Sequence, residues 1–175
     1  MFENIREDWR TYNGDPSRQG LWVMLVYRFG RWRYSIKQRW LRLPFSFAYK
    51  ILHLLAQILT GIELPCEVQM GRRLTIEHFG DIIISGDTVI GDDVVIRNGV
   101  TIGLKHTGTR GAPVIGNRVD IGAGAKLLGA IRIGDDVVIG ANAVVLQDIP
   151  ANSLAVGVPA KIKPRSKTVA GIINA

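Results

Sequence analysis

Few side chains in this 175-residue chain could move a proton or form a covalent bond: three histidines, at 53, 78 and 106, and one cysteine, at 66. The histidines have no paired ligand spacing, so no metal site is expected. Cys66 has only Glu63 and Glu67 as charged neighbours in sequence, and negative charges raise a thiol pKa, so it reads as inert rather than nucleophilic. His78 lies in Glu77-His78-Phe79-Gly80-Asp81, a segment that breaks an otherwise regular repeat, and such breaks are where a functional side chain can leave the pattern. On spacing alone, a structural histidine near the surface is the better reading of His78. His106 lies in a second break, between Ile102 and Ile115.

The repeat that these breaks interrupt runs from Met70 to Val145. An aliphatic residue followed by a small one returns every six residues at Ile90-Gly91, Ile102-Gly103, Ile115-Gly116, Ile121-Gly122, Ile133-Gly134 and Ile139-Gly140, with Ile96, Leu127 and Val145 in the same phase. Six fits neither the 3.6-residue helix nor a simple alternating strand; it fits a chain that turns a corner every six residues. The fourth residue after each aliphatic is also small or aliphatic (Val94, Val100, Val119, Ala125, Ile131, Val137, Ala143, Ile149), so each rung points two residues inward. Asp92, Asn117 and Asp135 stay outside. Stacked rungs then bury one continuous column, as in a parallel β-helix of hexapeptide repeats. The segment between Ile102 and Ile115, in particular residues 104–113, is polar and Gly-rich without core spacing, and is expected to form an extruded loop.

Composition divides the chain near Thr60. Residues 1–60 hold all four Trp, all four Tyr and four of the five Phe, while 17 of the 20 Gly follow. The first 60 residues carry ten Lys and Arg against four acids and the remainder twelve against eleven, so the net charge of +7 belongs to the N-terminal segment. The expected organisation is a helical segment at 1–60, a β-helix at 61–165 and a loose tail at 166–175. Asp15-Pro16-Ser17 reads as a helix start, with a first helix from about Ser17 to Ile36. Leu43-Pro44 reads as a break. A second helix from about Pro44 to Leu59 places Phe47, Ile51, Leu54, Leu55 and Ile58 on one face, expected to pack on the open end of the β-helix and cap it.

A lone cysteine excludes an internal disulfide, and the N-terminus lacks a charged-then-apolar leader, so a cytoplasmic protein is expected. The apolar stretches Leu21 to Tyr27 and Ile51 to Leu59 are shorter than a bilayer span, so no transmembrane helix is expected. Between Arg18 and Lys50 there are eight basic residues and no acid, interleaved with Trp22, Tyr27, Trp32, Tyr34 and Trp40. This is either a face for anionic lipid at the inner side of a membrane or a solvated face whose aromatics pack inward. No nucleic-acid-binding module is present, so nucleic acid is not an expected partner.

Ile121-Gly122-Ala123-Gly124-Ala125-Lys126, Ile139-Gly140-Ala141-Asn142-Ala143-Val144-Val145, Asp148-Ile149-Pro150 and Gly157-Val158-Pro159-Ala160-Lys161 together resemble the C-terminal half of the serine acetyltransferase family of hexapeptide acyltransferases. The likeness covers about residues 61–163. It implies a left-handed β-helix, although general chirality rules would favour the right hand, and a homotrimer with acetyl-CoA in the cleft between neighbouring prisms. It also implies that His78 is the catalytic histidine and Glu63, fifteen residues earlier, its partner carboxylate. An imidazole beside an acceptor hydroxyl takes its proton as the oxygen attacks the thioester, and a carboxylate fixes the imidazole tautomer. Acetyl-CoA contacts are implied at Gly103, Ala123, Ala141 and Lys161. The plain alternatives are alanines that fit a corner and a solvated lysine.

The serine branch carries Arg-His-Pro at the end of its loop, where this chain reads Arg110-Gly111-Ala112-Pro113, and its helical domain is much longer. A closer likeness is to the short colanic-acid and exopolysaccharide O-acetyltransferases, on Tyr27-Arg28-Phe29, Gly61-Ile62-Glu63, residues 71–76 with His78, and residues 98–103. The expected function is therefore transfer of acetyl from acetyl-CoA to a sugar hydroxyl of a saccharide or lipid-linked saccharide. Asp87 and His106 are candidates for contacting that acceptor; otherwise Asp87 forms a turn and His106 is an exposed loop residue. Serine acetylation is the alternative enzyme reading, and a non-catalytic binding scaffold the third.

Overall fold

A computed structural model of the chain describes residues 2–106, 108 and 111–165. The expected tail at 166–175 and positions 107, 109 and 110 of the expected loop lie outside the described residues. From Ile62 onward the chain winds into a three-sided prism of parallel sheets. One face holds β1 (Ile62–Glu63), β4 (Ile82–Ile84), β7 (Thr101–Gly103), β10 (Lys126–Leu128) and β13 (Val144–Val145). The second holds β2 (Gln69–Met70), β5 (Val89–Ile90), β8 (Val114–Ile115) and β11 (Arg132–Ile133). The third holds β3 (Thr75–Ile76), β6 (Val95–Ile96), β9 (Asp120–Ile121), β12 (Val138–Ile139) and β14 (Ser153–Val156), with β15 (Lys161–Pro164) added antiparallel at its end.

Each aliphatic position of the repeat, and each fourth residue after it, is buried in one column running through the prism. Register keeps like positions stacked: Ile76 on Ile96, Ile96 on Ile121, and Ile121 on Ile139. The polar residues left outside cap the corner between the second and third faces. The Asp92, Asn117 and Asp135 side chains accept, respectively, the backbone N–H of Arg72, Asp92 and Asn117, each at 2.8 Å. A small residue precedes this ladder because adjacent corners touch. A Cβ on Gly91 would lie 2.6 Å from the Gly116 carbonyl oxygen, inside contact distance.

The N-terminal region contains three α-helices, α1 (Phe2–Thr11), α2 (Gln19–Trp32) and α3 (Arg39–Thr60), with a 3-10 turn at Arg33–Ser35. Helix α1 is absent from the sequence-based expectation. Its Asp8 is buried in a two-pronged ion pair, accepting from Arg28 Nε at 2.8 Å and from the second guanidinium nitrogen at 3.1 Å. The Tyr12 hydroxyl accepts the Ile76 N–H at 2.9 Å, and Tyr27 donates to the Val68 carbonyl at 2.8 Å, so the helices are tied to the first coil. Leu21, Val23, Met24 and Tyr27 join the prism core.

Four local expectations differ from the structure. Asp15 does not cap α2: its carboxylate accepts from the Ser17 N–H and hydroxyl, while the residue before the helix, Arg18, makes no side-chain cap. Pro44 does not break the chain but sits inside α3, where it removes a single intrahelical hydrogen bond. The break falls earlier, at the extended residues Ile36 and Gln38. With its start moved back to Arg39, α3 is long and apolar enough, by length and composition, to cross a membrane, contrary to expectation. Its orientation also differs. Tyr49 and Thr60 are the residues it buries, whereas Phe47, Ile51, Leu54, Leu55 and Ile58, expected to face the prism, are exposed.

Candidate active site

The corner between the third and first faces is built of turns stacked one per coil. His78 lies in the topmost turn, between β3 and β4, where Gly80 and Asp81 both take positive φ, 102° and 54°. Beneath it the Gly99 N–H donates to the Gly80 carbonyl at 3.0 Å, the Gly124 N–H to Asn98 at 2.8 Å and the Asn142 N–H to Ala123 at 2.8 Å. His78, Ala123 and Ala141 therefore share one edge of the prism. At about 4.8 Å per coil, Ala141 lies about 15 Å below His78. Lys161 opens β15 at the foot of the same edge, following a turn whose Gly157 carbonyl accepts the Val144 N–H at 3.0 Å.

The His78 imidazole is exposed and, among the described residues, makes no side-chain hydrogen bond or ion pair. Its neighbour Glu77 is held in an ion pair by Arg97, whose Nε lies 2.7 Å from the carboxylate and which also pairs with Asp120. Burial works against the Arg97 charge, but the hydrogen bond and charge of Asp120, with Glu77, outweigh it and raise its pKa above the ordinary value. This triad was missed in the sequence. The available signal was positional, since Glu77 and Arg97 follow the registered pair Ile76 and Ile96 in successive coils.

Glu63 is exposed on β1, in register with Ile83 of β4. A shallow pocket of about 250 Å³ surrounds it, lined by Gln57, Gly61, Glu63, Asp81 and Ile83 among others. The turn that carries His78 reaches this pocket through Asp81. A Cβ on Gly61, the left-handed residue that ends α3, would lie 3.1 Å from the Gly80 Cα. Glu63 and His78 thus belong to the same end of the first face. Among the described residues no hydrogen bond joins them.

Asp87, Gly103 and His106 are placed elsewhere. Gly103 is buried at the end of β7, in register with Leu128, and Asp87 is exposed in the turn between β4 and β5. His106 is exposed in the insertion that follows Gly103. All three lie at the opposite edge of the first face from His78, about 13 Å away at 3.3 Å per residue over residues 81–85. One chain therefore does not bring them to His78. The insertion is not wholly extruded either: Ala112 and Pro113 are buried, and a Cβ on Gly111 would meet the Ala130 side chain at 2.5 Å. Among the described residues no group of His, Cys, Asp and Glu could hold a metal ion.

Residues 112–147 match the bacterial transferase hexapeptide family (six repeats). The chain is 45% identical over 161 residues to a serine acetyltransferase of Helicobacter pylori strain J99, covering 87% of this chain and 91% of that one. In fold it is similar to the serine acetyltransferase of Brucella abortus solved in complex with coenzyme A, with a TM-score of 0.79 at 26% identity, covering 93% of this chain and 67% of that one. It is also similar to the Neisseria gonorrhoeae serine acetyltransferase solved in complex with serine, with a TM-score of 0.77 at 26% identity, covering 93% and 68%. These findings overturn the expectation of a saccharide acceptor. The H. pylori relative is matched along nearly its whole length, so a short N-terminal segment is no mark of a different acceptor. The departure at Ala112 is one position set against likeness along 161.

Proposed function

The chain belongs to the serine acetyltransferase family of hexapeptide-repeat acyltransferases, and on that premise we propose that it transfers the acetyl group of acetyl-CoA to the hydroxyl of L-serine. The observation that carries this reading is the 45% identity to a serine acetyltransferase of nearly the same extent. In this reading the prism is left-handed and His78 is the general base. Its neutral imidazole takes the serine hydroxyl proton as the oxygen attacks the thioester carbonyl. The tetrahedral intermediate then expels the CoA thiolate, which recovers the proton from the imidazolium, so that O-acetylserine and CoA leave without a covalent enzyme intermediate. Glu63 orients and stabilises the imidazolium once the site is occupied.

The shared edge supports a place for acetyl-CoA. Ala123 and Ala141 leave the stacked turns bare of bulky side chains, so a pantetheine arm can lie along the backbone toward His78, with Lys161 facing the nucleotide phosphates. The separation of Asp87, Gly103 and His106 from His78 favours a homotrimer, in which that second edge of one copy meets the His78 edge of the next and completes a shared cleft. The test is CoA release from acetyl-CoA by purified protein with L-serine or with oligosaccharides as acceptor. Turnover with serine is expected, reduced about 10²- to 10⁴-fold in His78→Ala with acetyl-CoA binding retained. Undiminished turnover in His78→Ala would remove the residue from this role.

A further inference from the structure

Helix α3 presents its apolar side to the outside. The side that packs on the fold is the stripe Arg42, Ser46, Tyr49, His53, Ala56 and Thr60, and Tyr49 fixes it by accepting the Cys66 N–H at 2.9 Å. Facing away are Trp40, Leu43, Phe47, Ile51, Leu54 and Ile58, continued by Leu41, Leu52, Leu55 and Leu59, all at least 40% exposed. At 3.6 residues per turn these cover roughly 200° of the helix, over about 29 Å of its length. A continuous apolar face of this size marks an interaction surface rather than scattered exposed residues.

Its rim is basic. No acid occurs between Asp15 and Glu63, and Lys37, Arg39 and Lys50 make no ion pair among the described residues. Arg39 and Lys50 stand at the border of the apolar arc, and Lys37 leads into the helix. We propose that α3 docks the protein on an anionic lipid bilayer, lying in the interface with its apolar arc among the acyl chains and its basic rim against headgroup phosphates. A second copy of α3 fits less well. Helix-on-helix packing covers a seam of about two positions in seven, far less than this arc, and would set one basic rim against another. Spanning the membrane is also disfavoured, because Lys50 lies halfway along the helix and its packed side is tied to the prism. The proposal does not depend on the identity of the acetyl acceptor.

The experiment is co-sedimentation of the full chain with phosphatidylcholine vesicles and with vesicles containing phosphatidylglycerol. Pelleting is expected with the anionic vesicles and is weakened by salt. Replacing Phe47 and Leu54 together by Asp, at positions already in solvent, should abolish pelleting while circular dichroism shows the fold retained. Replacing Lys37 and Arg39 by Gln should lower partition about thirtyfold. Wild-type protein that stays in the supernatant overturns the proposal, as does an Asp double variant that pellets like wild type. Equal partition onto both vesicles overturns the headgroup contact. Sedimentation velocity completes the test: an assembly dissolved by the Asp double variant, without vesicle binding, would assign the face to a second copy.

Discussion

Raising the pH from 8 to 11 should weaken the fold by about 1.4 kcal/mol through Tyr12 alone. Tyr12 follows α1, with its ring buried and its hydroxyl oxygen accepting the N–H of Ile76, two residues before His78. Burial, aided by the charge of Asp8, pushes its pKa from 10.0 up to about 12. A group whose pKa is raised by folding contributes stability that is full below the unfolded value and lost as pH climbs through the folded one. Here that window runs from 10 to about 12. About 1.4 kcal/mol is gone at pH 11, and about 2.7 kcal/mol once both states are ionised. Burial also raises Tyr27 and Tyr49, so the informative quantity is the difference from Tyr12→Phe. That variant leaves the buried Ile76 N–H unpaired and should be about 1–3 kcal/mol less stable than wild type at pH 8. Urea unfolding followed by tryptophan fluorescence, at fixed protein concentration, should show the gap narrowing by about 1.4 kcal/mol at pH 11. A gap that stays constant with pH would refute the buried, protonated phenol.

Three further outcomes follow from the packing. Ile121→Ala, in the middle of the fully buried column, should cost about 2–5 kcal/mol by denaturant titration. Asp8→Ala strands the buried Arg28 guanidinium and should cost about 3–5 kcal/mol, most of it recovered when Arg28→Met is added, as a double-mutant cycle would measure. The Asp135 carboxylate titrates below its ordinary 3.8 because the Asn117 N–H and side chain hydrogen-bond it. Its stabilising effect is present above 3.8 and lost as pH falls through the lower folded value. Thermal melts should therefore fall less steeply between pH 5 and pH 3 in Asp135→Asn than in wild type.

Much of the prism was legible because a six-residue period admits one arrangement of inward positions: Ile90, Val94, Ile96, Val100 and their successors are all buried. Asp92, Asn117 and Asp135 were legible only as outward residues, since their capping bonds join coils about twenty residues apart. The helices were harder. Helix α1 hides its anchor in a charged residue, Asp8, which periodicity assigns to solvent. Helix α3 defeats the rule that apolar faces pack inward, because its own chain is covered by the polar stripe around Tyr49. The interruption at residues 77–81 coincides with the turn between β3 and β4 that carries His78. The separation of Asp87 and His106 from it depends on which corner each turn occupies, and that follows from the wrapping of the coils rather than from local residues. The acceptor is not legible in Ala112 or in the short N-terminal segment, because a serine acetyltransferase 45% identical over 161 residues has nearly the same extent.

Following the label from radiolabelled acetyl-CoA in the presence of L-serine shows where the acetyl group goes. The label should move onto serine and be recovered as O-acetylserine, at a rate that collapses in His78→Ala while that variant still binds acetyl-CoA. Label that never reaches serine would rule out serine as the acceptor, and label that reaches it equally fast without the His78 imidazole would rule out His78 as the base.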